Sequence, residues 1–134
     1  MSRIGVFICH CGHNISGAVD IDALKKKVAQ IPDVTFVIDN PYLCSTPGQE
    51  LVGDMIKEHQ LDAVVTSHCS PLLHERTFRN VAEKSGLNPY KLEVANIREQ
   101  ASWPHWHQPD LATKKAFTII SETVAKVKRN IALE

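Results

Sequence analysis

Four short runs of β-branched and other apolar residues, Arg3 to Ile8, Val34 to Asp39, Ala63 to Ser67 and Lys91 to Ala95, recur along this chain with segments of helical periodicity between them. Nothing else in the sequence narrows the fold so far. Strands that are apolar almost throughout are covered on both faces, and strands separated by helices are joined by right-handed parallel crossovers. The alternation predicts a three-layer α/β/α sandwich, Rossmann-like, built on a mainly parallel four-stranded sheet.

The helices can be read from their ends and their apolar faces. The first should open near Asp20, bury Leu24, Val28 and Ile31, close at Pro32 and leave Lys25 to Lys27 in water. For the second, Thr46-Pro47-Gly48-Gln49 supplies a capping oxygen, a proline at the first helical position and a glutamine three residues on, with Leu51, Met55 and Ile56 facing inward. A third runs from about Leu72 to Ser85, burying Leu73, Phe78, Val81 and Ala82, and Gly86 sits where a left-handed cap would stop it. The last spans roughly Leu111 to Ile131, with Ala116, Ile120, Val124, Val127 and Ile131 repeating at threes and fours.

At 134 residues and 43% apolar content the chain suits a single domain, residues 1–132, with a core of its own. The final Leu133-Glu134 reads as an appended junction as much as a natural end. Fifteen Lys and Arg balance fifteen Asp and Glu, which argues against nucleic acid or anionic lipid as a partner. No apolar run approaches the roughly 20 residues that span a bilayer, and Met1 to Ile8 is too short for a signal peptide, so a cytoplasmic location is expected.

Four cysteines in such a chain are expected to be working thiols rather than disulfides. Cys9 and Cys11 follow the first strand, Cys44 the second and Cys69 the third. In an open parallel sheet the carboxyl ends of strands share one edge, where ligands bind, so residues 35 and 60 positions beyond Cys9 can meet it there. Four thiols gathered at one point need a cation or a cluster, because bare thiolates would raise each other's pKa and stay protonated. Sulfur-only ligation selects zinc or iron–sulfur. Paired C-x2-C knuckles of structural zinc sites are missing, and an α/β core should fold without metal, which favours a [4Fe–4S] cluster held by Cys9, Cys11, Cys44 and Cys69. Gly12, Ser45, Ser70 and the helix starts after Thr46 and Pro71 would offer amide donors to sulfur, which raise a cluster's potential. The bland alternative is four buried cysteines acting as small hydrophobes.

Several motifs in order then point to a family. Cys9-His10-Cys11-Gly12 with Asn14-Ile15 and Gly17, Cys44-Ser45-Thr46-Pro47-Gly48-Gln49, Cys69-Ser70-Pro71 with His74-Glu75, Gly86-Leu87-Asn88-Pro89-Tyr90, and Asn96-Ile97-Arg98-Glu99 with Ser102-Trp103 and His105 together resemble the N-terminal domain of the A-type subunit of heterodisulfide reductase. The resemblance covers nearly the whole chain. It implies one cluster in this piece, with FAD only in a following domain outside it, and as partners the other subunits or domains of a heterodisulfide reductase-like complex. The piece alone is not expected to turn over a substrate. Departures from the family pattern include His68, where a small residue is usual, Leu72 and Arg76 in place of arginine and proline, and Ala101, where some relatives carry a further cysteine. The His68 side chain, beside Cys69, either tunes a cluster or couples it to protons, or else points into solvent, which is favoured because histidines usually lie at least partly exposed.

Other candidates are weaker. His105-Trp106-His107 reads either as a docking surface or as rings packed over the last helix. Arg98 either faces the thiols or pairs with a carboxylate such as Glu99. Gly12 to Gly17 matches no phosphate-loop pattern, and Asp20 and Asp22 suit a helix start better than a catalytic pair. Two other functions remain open beside electron transfer. One is cluster-free thiol, disulfide or persulfide chemistry at Cys9 and Cys11; the other is a partner-docking module with inert cysteines.

Overall fold

The computed structural model describes residues 3–10, 15, 17, 19–43, 45–68, 71–97 and 106–130, with backbone alone for 71–75 and 89. Strands and helices alternate through them: β1 (Ile4–Cys9), α1 (Ile21–Ala29), β2 (Val34–Asn40), α2 (Thr46–His59), β3 (Ala63–His68), α3 (Pro71–Lys84), β4 (Leu92–Asn96) and α4 (Pro109–Arg129). The strands form one parallel sheet in the order β2-β1-β3-β4. Helices α1 and α4 pack together on one face, α2 and α3 on the other, which gives the expected sandwich.

The pleat sorts the side chains between two cores. Along β1, Ile4, Val6 and Ile8 join Leu24, Val28, Ala116 and Ile120 beneath α1 and α4, whereas Phe7 and Cys9 join Val52, Ile56 and Phe78 beneath α2 and α3. Every residue of β1 and β3 is buried. Each large apolar side chain so enclosed contributes about 1.5–3 kcal/mol. β2 departs from the expectation of a strand covered on both sides. It is an edge strand, and six of its seven residues are only half-buried.

Local chemistry sets the helix limits. The Asp20 side chain caps α1 by accepting the Ala23 N–H at 3.1 Å, and the Asp20 N–H donates to Thr113 Oγ1 at 2.9 Å, tying α1 to the start of α4. Helix α2 begins one residue before the expected point. Ser45, not Thr46, is its cap, with Ser45 Oγ accepting the Gly48 N–H at 3.2 Å and donating to the Tyr42 carbonyl at 2.6 Å. This register turns Gly48, Val52 and Ile56 inward, four residues apart, and leaves Leu51 and Met55 half-buried. Gly86, at φ +88°, follows α3 as a left-handed residue should. Lys91 lies in a 3-10 turn rather than in β4, and its ammonium donates to the carbonyls of Val127 at 3.1 Å and Asn130 at 3.2 Å, closing the carboxyl end of α4. Ile131 lies outside the described residues. Among those residues no helix is long and apolar enough to cross a membrane.

Candidate functional site

β2 lies on one side of β1 and β3 on the other, so the path of the chain across the sheet reverses between them. The crevice at the carboxyl ends of β1 and β3 is thus the switch point, where open α/β sheets take their ligands. Cys9 is the last residue of β1 rather than lying beyond it; it pairs with Asn40, while Ile8 pairs with Ser67. Cys11, Cys44 and Cys69 lie outside the described residues, as do Arg98, Trp103 and His105. Among the described residues no cluster of three or more His, Cys, Asp or Glu could hold a metal ion.

Cys9 is 3% exposed, and its Sγ accepts the Leu43 N–H at 3.2 Å and lies 3.9 Å from the Pro41 carbonyl. The segment from Asn40 to Leu43 therefore wraps this sulfur. It is held on both sides: Asn40 Oδ1 accepts the Tyr42 N–H at 2.8 Å, and the Tyr42 carbonyl accepts from both the amide and the hydroxyl of Ser45, at 3.1 and 2.6 Å. Gly48 makes the close fit feasible, since a Cβ there would stand 2.2 Å from the Leu43 carbonyl oxygen. Helix starts, Gly12, Ser45 and Ser70 are the donors that the sequence suggests. The Leu43 amide carries no sequence signal, because every residue except proline has an N–H.

A second group sits on the opposite face of the same strand end. His10 Nε2 lies 2.6 Å from Asp39 Oδ2, and Lys25 Nζ lies 2.7 Å from Asp39 Oδ1. An ionised carboxylate only accepts, so the His10 Nε2 carries the proton it shares. Lys25, expected in water, is thus half-buried in an ion pair, while Lys26 and Lys27 are exposed. Burial pushes the Asp39 carboxyl up, but hydrogen bonds and charges from Lys25 and His10 outweigh this and hold it below the usual carboxylate range. A depressed folded-state pKa gives stability that is present above the unfolded value near ~4 and is lost as the pH falls through the folded one. Asp39→Asn should therefore cost about 1 kcal/mol at neutral pH, the pair being partly solvated. The cost should shrink in urea unfolding at pH 3; an equal penalty at pH 3 and pH 7 would show that charge is not its source.

His68 corrects an expectation. It is 2% exposed, with its ring 4.9 Å from that of Phe78 and its Nε2 3.1 Å from Thr66 Oγ1. As the last residue of β3 it shares the face of Thr66, on the side that α3 covers, so the pleat and Phe78 keep it from solvent. Trp106 is 39% exposed and His107 is also exposed.

Comparison with known proteins covers nearly all of this architecture. The chain is 52% identical over 126 residues to the A-type subunit of the ferredoxin/F(420)H(2)-dependent CoB-CoM heterodisulfide reductase of Methanosarcina acetivorans, a match of 94% of this chain and 16% of that protein. By sequence, the chain matches one segment of the A-type subunits of heterodisulfide reductase. The heterodisulfide reductase A-type-subunit-like protein of Archaeoglobus profundus is 50% identical over 126 residues, 94% of this chain and 18% of that one. An A-type iron-sulfur subunit of the CoB-CoM heterodisulfide reductase of Methanopyrus kandleri is 46% identical over 127 residues, 95% of this chain and 19% of that one. The chain thus spans less than a fifth of the length of these heterodisulfide reductase relatives. No family model matches it.

Proposed function

We propose that this segment is the electron-transfer domain of a heterodisulfide reductase-like oxidoreductase and that it holds one [4Fe–4S] cluster through Cys9, Cys11, Cys44 and Cys69. One observation carries the reading: the Cys9 sulfur is buried at the switch point and accepts an amide from Leu43, the residue before Cys44. An N–H aimed at sulfur stabilises the thiolate that iron requires. His68, the residue before Cys69, ends the neighbouring strand. The four cysteines suit the group chemically, being soft and sulfur-only, and in sequence they end or follow β1, β2 and β3, which are neighbours in the sheet.

When bound, such a cluster supplies a site for one electron at a time. The protein contributes the rest. The Leu43 amide offsets negative charge at sulfur, and the core of Phe7, Leu43 and Val52 excludes water from the Cys9 side. The name of the Methanopyrus kandleri relative, which includes iron-sulfur, agrees with this reading. Other subunits or domains of such a complex are the proposed partners, a flavin is expected only outside this segment, and a cytoplasmic location is part of the same proposal. The burial of Cys9 counts against its serving as a redox nucleophile, since reactive thiols sit where reagents reach them. The docking alternative keeps one observation in its favour, the 57% exposure of Tyr42 in the turn beside Cys9.

Anaerobic reconstitution with iron and sulfide tests the proposal. About four irons per chain and a brown absorbance near ~400 nm are expected, both lost in Cys9→Ala. Protein that stays colourless, or a Cys9→Ala variant that loads iron as fully as the parent, would sink it.

A further inference from the structure

The cluster proposal makes no use of the His10–Asp39–Lys25 group, although it grips the residue that follows Cys9. The His10 backbone is fixed twice, its N–H donating to the Asn40 carbonyl at 2.9 Å and its carbonyl accepting the Ile15 N–H at 3.0 Å. Ile15 is fully buried and its own carbonyl accepts the Val19 N–H at 2.8 Å, so the downstream anchor is part of the core. What remains free at a strand end is rotation about the strand axis. There the His10 ring supplies the stop, through its 2.6 Å bond to Asp39 on the neighbouring strand.

We propose that Asp39 is a positioning residue for the Cys9 sulfur: it clamps the His10 ring on the α1 face and so keeps Cys9 turned toward the Leu43 amide on the α2 face. Successive residues of a strand project to opposite sides, so a ring held on one side fixes the direction of its neighbour on the other. A bond of 2.6 Å to a carboxylate is among the stronger kinds, and Lys25, at 2.7 Å, holds that carboxylate from the far side. Lys25 also offsets the charge of the Asp39 carboxylate, so that pair adds little net charge near Cys9. As a metal-site device this rests on the cluster reading; as a statement about where the Cys9 sulfur points it does not.

Alkylation of the metal-free protein with iodoacetamide, read for Cys9 alone by peptide mass mapping, separates the two. Cys9 is buried, so its modification reports opening of the strand end. Asp39→Ala should raise the Cys9 rate on the order of tenfold beyond the factor that its change in urea stability accounts for. Asp39→Asn loses the charge but keeps an acceptor for His10, and it should restore the slow rate despite comparable loss of stability. His10→Ala should match Asp39→Ala, and the double variant should add nothing further, as expected of two residues acting through one contact. An unchanged Cys9 rate in Asp39→Ala, or additive effects in the double variant, overturns the positioning role. Iron loading of the parent protein, measured in parallel, decides the cluster reading separately. Failure to load with the alkylation pattern intact overturns that reading and leaves the positioning role supported.

Discussion

Gly48→Ala is expected to cost about 3 kcal/mol, the upper end of the range for forcing extra atoms into a packed site, and to lower the melting temperature on the order of 10 °C. At an ordinary helix position this exchange would stabilise, because alanine loses less backbone freedom than glycine. Here the new methyl would stand 2.2 Å from the Leu43 carbonyl oxygen and 2.6 Å from that of Tyr42. Both are backbone atoms, so no rotamer change relieves the contact. Either α2 moves off or the turn at residues 42 and 43 is displaced, and the second outcome removes the Leu43 amide from the Cys9 sulfur. Thermal unfolding together with Cys9 alkylation distinguishes them. A variant as stable as the parent would mean that the turn does not rest on the helix as described.

Phe78→Ala should be of similar or larger size, about 3–5 kcal/mol, as for other buried aromatics truncated in a core. Phe78 is fully buried and its ring lies tilted over His68. Because domains of this kind are stable by only about 5–15 kcal/mol, a substantial unfolded fraction is expected at moderate temperature. The folded remainder should show a second change. With its cover gone, the His68 imidazole becomes open to solvent, visible as faster hydrogen exchange and a shifted imidazole resonance. A loss under ~1 kcal/mol would show that the space closes over or was never tightly filled.

The sheet is legible in the sequence because β-branched runs and helical periods differ so plainly; β2 and β3 begin where the residues suggest, and β1 one residue later. β4 also starts one residue late, because the Lys91 N–H turns back onto the Asn88 carbonyl at 2.9 Å in the 3-10 turn that precedes the strand. For α2, a serine and a threonine in sequence both make credible caps. Only the contact of the Ser45 hydroxyl with the Tyr42 carbonyl separates them. That Cys9 comes at the carboxyl end of a parallel strand is legible too, since it follows from the β-branched run before it. Its surroundings are not. Asp39 reads as the polar end of an apolar strand, and its bonds to His10 and Lys25 depend on how β2 lies beside β1. Residue type misleads at His68, because strand parity together with Phe78 determines its exposure.

The central location of β1 bears on the order of events during synthesis. Its two neighbours come from residues 34–40 and 63–68, so among the four strands of this sheet the earliest is also the one that waits longest for its second neighbour. Pairings so distant in sequence form slowly and only after the intervening helices are available to cover them. On a ribosome, the thiol of Cys9 would emerge early and stay unprotected until roughly half of the chain had followed. A cluster held there as proposed would accordingly be inserted into an already folded scaffold, not serve as the nucleus around which the polypeptide condenses.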